Sequence, residues 1–484
     1  MRNDMNIKYI AAGMAAFGAA VLSSCSDFTE IDAKGKNLLN RTQDLELLLN
    51  ADYSLRATVM QEISGDLIYA YSPLSTILKV PVKTTNSIIM GWDEAGHDEK
   101  LPELTASDAW YAGCYEYIGR IANPILSMVD AAEGDAATKA ALKAEAYVVR
   151  AYFHFLAVQK FAPAYNPATA SGVTAIAYVK EDQDIKVPTV PVTLDLFYEN
   201  IISDLDAAEE LDALPDAALN QLRFSKPCLY AIRALAHMAM QKYDLAAHDA
   251  QKALDIKKTV ADYNDMLTTC YGAITGAPYE AILRPKLACP EDYFADYNID
   301  FYNTYLNVDQ LEPGHLIHDR FNTMNAAYEG LMDPSQMMLG IPGLFMTMYL
   351  DSSWPVIGLR STQMYLILAE CAINENNYDV AMGYLDKIRV NRIQRGMYAP
   401  LEGTVADKAT AIRHLKSTAL GENMMTVWSF VDKKRWTQLD DYKETYRRTL
   451  VDIDMTLTPE SSLWVFPIPQ NVINNNPNFK PYMN

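Results

Sequence analysis

The groups in this chain that could carry chemistry are few, and their spacing narrows what they do. Leu22-Ser23-Ser24-Cys25 follows an apolar run from Tyr9 to Leu22 flanked by Lys8. This is the pattern of a bacterial lipoprotein signal, in which residues 1–24 are removed and the Cys25 sulfur takes a diacylglycerol group. Fourteen apolar residues are too few for a spanning helix, which requires about 20, so a lipid-tethered chain is expected rather than a membrane-crossing one. His315 and His318, three apart with Asp319 adjacent, could offer two imidazoles to zinc. Pro313 and Gly314 precede them, however, and no third ligand is placed by the sequence. Asp93, Glu94, Asp98 and Glu99 crowd one short segment, whereas paired-carboxylate hydrolysis requires two carboxyls held about 5–9.5 Å apart across a cleft. They read as a solvated acidic surface or a calcium site. No Gly-x-Ser-x-Gly elbow or phosphate loop occurs. No catalytic residue, cofactor or metal is expected, and the chemistry points to binding.

Composition agrees with this. A net charge of −20 disfavours nucleic acid and direct adhesion to anionic lipid. Thirty Tyr against 14 Phe indicates many places where a flat apolar ring and a hydroxyl are wanted together. Beyond Cys25, the cysteines are Cys114, Cys228, Cys270, Cys289 and Cys371, with no Cys-x-x-Cys pair, which argues against a metal site. Cys114, Cys228 and Cys371 fall at helical apolar positions. Cys270 and Cys289 lie in an irregular region, either bridged or free.

The elements that must position these groups are helices. Trp110, Cys114, Tyr117, Ile121, Ile125 and Met128 step by three or four, as do Leu142, Ala146, Val149, Phe153 and Leu156. Tyr198, Ile201, Leu205 and Ala208 mark another helix, and Ser225 with Pro227 opens the next. Tyr243-Asp244-Leu245-Ala246 is echoed by Tyr378-Asp379-Val380-Ala381. Antiparallel pairs with Tyr and Ala at these spacings are tetratricopeptide-like units, which stack because one pair cannot bury its face alone. The fold class is therefore all-α dominated with little β. One domain is expected over residues 25–484, its scaffold spanning about 106–256 and 359–395. Two stretches, about 63–105 and 257–358, break the helical pattern yet are rich in aromatics, which disfavours disorder and favours function.

Nearly end to end, the chain resembles the SusD-like (RagB/SusD) outer-membrane lipoproteins of Bacteroidetes. The likeness rests on Thr42 to Tyr53, Tyr117 to Asn123, Ala144-Glu145-Ala146 with Arg150 to Phe155, and Arg223 to Lys226 with Ala231 to Ala234. It continues through Leu359-Arg360, Tyr365 to Glu370, Phe430 to Trp436 and Phe466 to Pro469. Val431 stands where an aromatic is common in that family, and Asp333-Pro334-Ser335-Gln336 lacks an arginine often found there. The resemblance implies a non-enzymatic, cell-surface lipoprotein of the outer membrane. Such a protein binds oligosaccharide, or in some members peptide, and delivers it to a SusC-like TonB-dependent transporter. An enzyme or a purely structural helical scaffold would be the alternatives of other classes.

A sugar offers an apolar C–H face and a ring of hydroxyls, matched by aromatic rings and by planar polar side chains. Trp110, Trp428, Trp436 and Trp464 fall in scaffold segments and read as core. Trp92, in Gly91-Trp92-Asp93-Glu94, and Trp354 have polar, loop-like surroundings. The expected ligand-binding residues are Trp92, Asn86, Tyr293, Tyr297, Asn298, Tyr302 and Trp354.

Overall fold

The computed structural model describes residues 39–69, 73–184, 186–271, 276, 278–284, 289–296, 304–306, 311–318, 345–346, 355–424 and 426–483. Cys25 and the signal segment lie outside them. The frame is a succession of helices: α1 (Thr42–Leu49), α2 (Thr58–Ser64), α3 (Thr85–Met90), α4 (Glu94–Glu99), α5 (Ala109–Tyr117), α6 (Asn123–Met128) and α7 (Ala136–Phe161). There follow α8 (Leu194–Glu210), α9 (Lys226–Ala239), α10 (Tyr243–Ile256), α11 (Ser361–Asn374), α12 (Tyr378–Arg389), α13 (Lys408–Asn423) and α14 (Trp428–Trp436). Helix α7 pairs with α8, α9 with α10 and α11 with α12, and α10 packs on α11 so that successive pairs stack. This is the tetratricopeptide-like architecture expected. Strand is sparse. Antiparallel pairings join β1 (Leu67–Tyr69) to β5 (Thr304–Leu306), β2 (Leu267–Tyr271) to β3 (Pro278–Ile282), β4 (Asp292–Phe294) to β7 (Leu359–Arg360), and β8 (Tyr446–Leu450) to β9 (Ile453–Leu457). A short β6 (Phe345–Met346) pairs with β5.

Local chemistry explains the helix starts. The Asp135 carboxylate caps α7 by accepting from Thr138 N at 2.9 Å, and Asp108 and Asp407 do the same for α5 and α13. The run from Trp110 to Met128 is one path of helix interrupted by a π-turn over Ile118–Ala122. The extra residue rotates the face beyond it. Ile125 and Val129 are buried, whereas Met128, expected on the buried stripe, is 39% exposed.

Four of the tryptophans form core as expected, each with its indole N–H satisfied. Trp110 donates to Leu156 O (3.0 Å), Trp428 to Gly358 O (2.8 Å), Trp464 to Thr458 O (2.9 Å) and Trp436 to Glu370 Oε2 (3.1 Å). Several charged side chains inside the frame are paired between helices. Arg150 grips Asp204 through two 2.7 Å bonds between α7 and α8, and Arg233 meets Asp249 between α9 and α10. Helix α14 is the hub, because consecutive side chains serve different neighbours. Lys433 reaches Asp66 (2.7 Å), Lys434 donates to Gln159 O and Ala162 O at the end of α7, and Arg435 takes both oxygens of Glu370 in α11. The Lys434 ammonium complements the carboxyl end of α7, while burial pulls its pKa down to about 7.

His154 is a buried neutral histidine. Its Nδ1 donates to Arg150 O (2.9 Å), its Nε2 accepts from Val179 N (2.9 Å), and Tyr178 stacks on its ring at 3.8 Å. Burial lowers its pKa to about 3, and that of buried His315 to about 4. Below the unfolded value of about 6.5, the unfolded chain binds protons that the native chain refuses. Stability is therefore complete above that pH and is lost as pH falls toward 4 and 3, by at most about 1.4 kcal/mol per pH unit for each histidine. Urea unfolding at pH 7 and pH 5 should show the loss, and His154→Gln should flatten the slope. Equal midpoints for the wild type at both pH values would contradict this.

Candidate ligand-binding face

The two interrupted stretches are held to the frame by buried contacts. Arg392 lies at the centre of one cluster. Its guanidinium bonds Glu422 Oε1 (2.6 Å), Glu291 Oε2 (2.8 Å) and Ala261 O (2.6 Å), and its charge sits 3.7 Å from the centre of the Tyr263 ring. The Glu291 carboxyl is held at about 2 by the surrounding arginines, against the upward push of its own burial. Arg284 pairs with Glu291 and Asp292, and Arg389 with Glu312 (2.5 Å). Asp296 Oδ1 accepts from Ile357 N (2.9 Å), and burial raises the Asp296 carboxyl to about 7. Arg284 and residues 289–296, 312–318 and 355–360 are thus stems fixed by charge and backbone bonds.

The stretch 63–105 is more regular than its sequence implies. It contains α3, α4 and two shorter helices, Leu74–Leu78 and Leu101–Leu104. Thr84 and Ser87 form a reciprocal capping box on α3. The end of α3 is a Schellman motif: Trp92 N donates to Ile89 O (3.3 Å) and Asp93 N to Ile88 O (3.0 Å). Trp92, not Gly91, takes the left-handed position, at φ 44°, a conformation costly for a bulky side chain. Burial of the indole offsets that cost. Trp92 is only 6% exposed, its Nε1 donates to Glu62 O (3.4 Å), and the Arg448 guanidinium of β8 lies 4.0 Å from its ring centre. Arg448 is itself fixed by Met90 O at 2.5 Å. The indole rests over Gly65, where φ is +81° and an added Cβ would stand 3.0 Å from the ring. This corrects the expectation of an open stacking platform: Trp92 is a wall that joins α2, α3 and the β8–β9 hairpin.

The other expected residues divide. Tyr293 is buried and its hydroxyl donates to Lys257 O (2.7 Å), so it too serves packing. Asn86 is half-buried, and its Nδ2 is itself enclosed, with no hydrogen-bond partner among the described residues. Tyr297, Asn298, Tyr302 and Trp354 lie outside the described residues. The neighbours of Trp92 (Glu62, Gly65, Arg448) and of Tyr293 (Lys257, Cys228) have no residue in common, so these two are not brought together.

Three of the four acids of 93–99 are individually engaged, and Glu99 is exposed. Asp93 caps α4 and pairs with Lys83 (2.7 Å), Glu94 accepts from Ser462 N (2.8 Å), and Asp98 pairs with His97 (3.0 Å). They do not converge as a calcium site would require. His315 is buried with Nδ1 turned to Ile317 N (3.3 Å), and Asp319 is not among the described residues. Cys289 is a free, buried thiol and not half of a bridge to Cys270. Cys289, Glu291 and Asp292 bring ligand-type atoms within 4.8 Å of one another, but Arg284 and Arg392 already place positive charge on those carboxylates. Sequence reasoning missed this arginine cluster, because only three-dimensional placement distinguishes a buried charge from a solvated one.

Comparison with known proteins locates this architecture. A SusD-like family model, described as starch-binding associating with outer membrane, matches residues 35–237. Among solved structures, a SusD superfamily protein from Bacteroides thetaiotaomicron is similar at 14% identity and TM-score 0.63, covering 91% of this chain and 99% of that one. One from Bacteroides fragilis gives 14% and 0.64, covering 92% and 100%. A SusD-like carbohydrate binding protein from Bacteroides vulgatus gives 14% and 0.61, covering 92% and 98%. No curated protein matches the sequence at a significant level. The family model covers the first part of the chain, and the solved structures share its fold over most of their length. Among the described residues no helix is long and apolar enough to cross a membrane.

Proposed function

We infer that this protein is a lipid-anchored receptor of the outer-membrane surface, tethered through Cys25, which captures oligosaccharide and hands it to a SusC-like TonB-dependent transporter. It is a binder without catalytic activity. The observation that carries this reading is the match to a starch-binding, outer-membrane-associated family over residues 35–237, on a frame of SusD type. With Trp92 and Tyr293 engaged in packing, the ligand-contacting groups are Asn86, Tyr297, Asn298, Tyr302 and Trp354. Titration of the protein lacking residues 1–25 against soluble polysaccharides and against peptides tests the ligand class. A polysaccharide should bind and peptides should not, whereas peptide binding alone would overturn the reading. Metabolic labelling with palmitate should mark the exported protein and should fail for Cys25→Ala. An unlabelled wild type would remove the anchor.

A further inference from the structure

Apart from both interrupted stretches, a cavity of ≈ 540 Å³ opens between α13 and the connection from α14 to β8, residues 437–445. Its volume is within the range of about 300–1,000 Å³ common to small-molecule sites. The apolar side chains around it are spent on packing. Trp436, Ile412 and Tyr442 are buried, Tyr442 stacks on Trp436 with 6.2 Å between ring centres, and the Lys416 ammonium stands 5.4 Å from the centre of the Trp436 ring. What the cavity offers a ligand is therefore charge. Arg413, Lys416, Lys433 and Lys443 line it against Asp432, Asp441 and Glu444, an excess of cations in a chain whose net charge is −20.

The pairing of these groups decides which of them are open. Lys433 is held by Asp66 (2.7 Å) and Ser64 O (2.8 Å). Lys416 holds Glu444 (3.1 Å) and Tyr442 O (2.6 Å), and Lys408 holds Asp441 (2.5 Å), so the connection is fastened to α13 and its two lining carboxylates are engaged. Arg413 differs. It is exposed, it has no carboxylate within ion-pair distance among the described residues, and its bond to Thr410 Oγ1 (3.2 Å) leaves most of its five N–H donors open. Asp407, which feels the Arg413 charge, is itself occupied in capping α13 at Thr410 N (2.9 Å). Lys443 is paired only with Asp440, which is 92% exposed, and such a surface pair contributes little. Lys416 keeps a third ammonium proton. An anion entering the cavity would thus meet Arg413 and Lys443 without displacing a buried partner. Two cations with donors in several directions suit a phosphate group, with its charge of about −2 and three acceptor oxygens, better than a singly charged planar carboxylate. Asp432 is the one lining carboxylate without a lysine; it accepts from Asn423 (3.0 Å) and, at 3.4 Å, from Arg435, and it opposes an anion.

We propose that the cavity between α13 and residues 437–445 binds the phosphate group of a small soluble phosphate monoester, with Arg413 as its principal ligand and Lys443 and Lys416 as further donors. The site is separate from the sugar-binding reading and does not rest on it. Calorimetry with glycerol 3-phosphate, inorganic phosphate and, as the singly charged control, acetate tests it. Glycerol 3-phosphate should bind at one site and acetate should not, and the affinity should fall as sodium chloride is added. Arg413→Gln should weaken binding by about tenfold or more, as loss of a charge-assisted hydrogen bond does, at an unchanged melting temperature. Asp432→Asn should strengthen it, because the opposing charge is removed. No binding of either phosphate, equal binding of acetate, or unchanged affinity in Arg413→Gln would overturn the site and leave the surface-receptor reading untouched. Vesicles of phosphatidylglycerol separate the two sources of a phosphate group: capture of the wild type but not of Arg413→Gln, with no binding of glycerol 3-phosphate, would assign the group to a lipid and overturn the soluble ligand.

Discussion

Replacing Arg392 with methionine is expected to lower the free energy of unfolding by about 3–5 kcal/mol, the cost of stranding buried charge when one partner is removed. Arg392 is 1% exposed and binds Glu291 and Glu422, which are 0% and 3% exposed. Methionine fills much of the volume but leaves both carboxylates without this guanidinium and Ala261 O without its donor. Arg392→Lys should recover only part of the loss, because an ammonium cannot span two carboxylates and a carbonyl in one plane. Arg284 continues to face Glu291 (3.2 Å) and Arg360 to face Glu422 (3.8 Å), so the loss is that of the guanidinium bridging the two, and it should extend to the stem at 311–316, where Leu316 N donates to Arg392 O (2.8 Å). Chemical denaturation of wild type and both variants reads the loss directly. A change below about 1 kcal/mol, as for an exposed ion pair, would show that the cluster is solvated.

Trp92→Ala separates a wall from a platform. A buried aromatic truncated to alanine costs about 3–5 kcal/mol, and here the indole covers Gly65, is covered by Arg448 and donates to Glu62 O. Truncation would leave the Arg448 guanidinium facing a void. The expected result is a large fall in stability, with any loss of ligand affinity following from disorder of α2 and α3 and recovered where the variant is kept folded at low temperature. Trp92→Phe, which keeps a ring beneath Arg448 but loses the N–H, should be intermediate. A fully stable Trp92→Ala that had lost sugar binding would restore the indole as a contact surface.

Those two residues also mark where the sequence could and could not be read. Leu142, Ala146, Val149, Phe153 and Leu156 are all buried along α7, because over 26 residues helical periodicity far exceeds local noise. The echo of Tyr243–Ala246 in Tyr378–Ala381 became two equivalent second helices of adjoining pairs. In 63–105, by contrast, helices of four to six residues are too short to establish a period, and the caps that start them look like ordinary polar loop. Trp92 was misjudged for the same reason. Its neighbours Gly91, Asp93 and Glu94 suggest exposure, whereas they are the polar end of a helix whose left-handed terminal residue turns inward. Arg392, Glu291 and Glu422 are 101 and 30 residues apart along the chain, and no local pattern announces that they meet. The side chains of α14 are legible in the sequence only as part of the Phe430–Trp436 motif, whose run of aspartate, lysines and arginine gives no sign of a hub.

The proposal stands or falls on whether this protein captures a saccharide and leaves it intact. Incubating the protein lacking residues 1–25 with each polysaccharide of a panel, then measuring affinity by calorimetry and product length by chromatography in the same samples, tests it most directly. Saturable binding of at least one polysaccharide with its length distribution unchanged is the predicted result. Shortened products, or affinity for peptide with none for any polysaccharide, would contradict it.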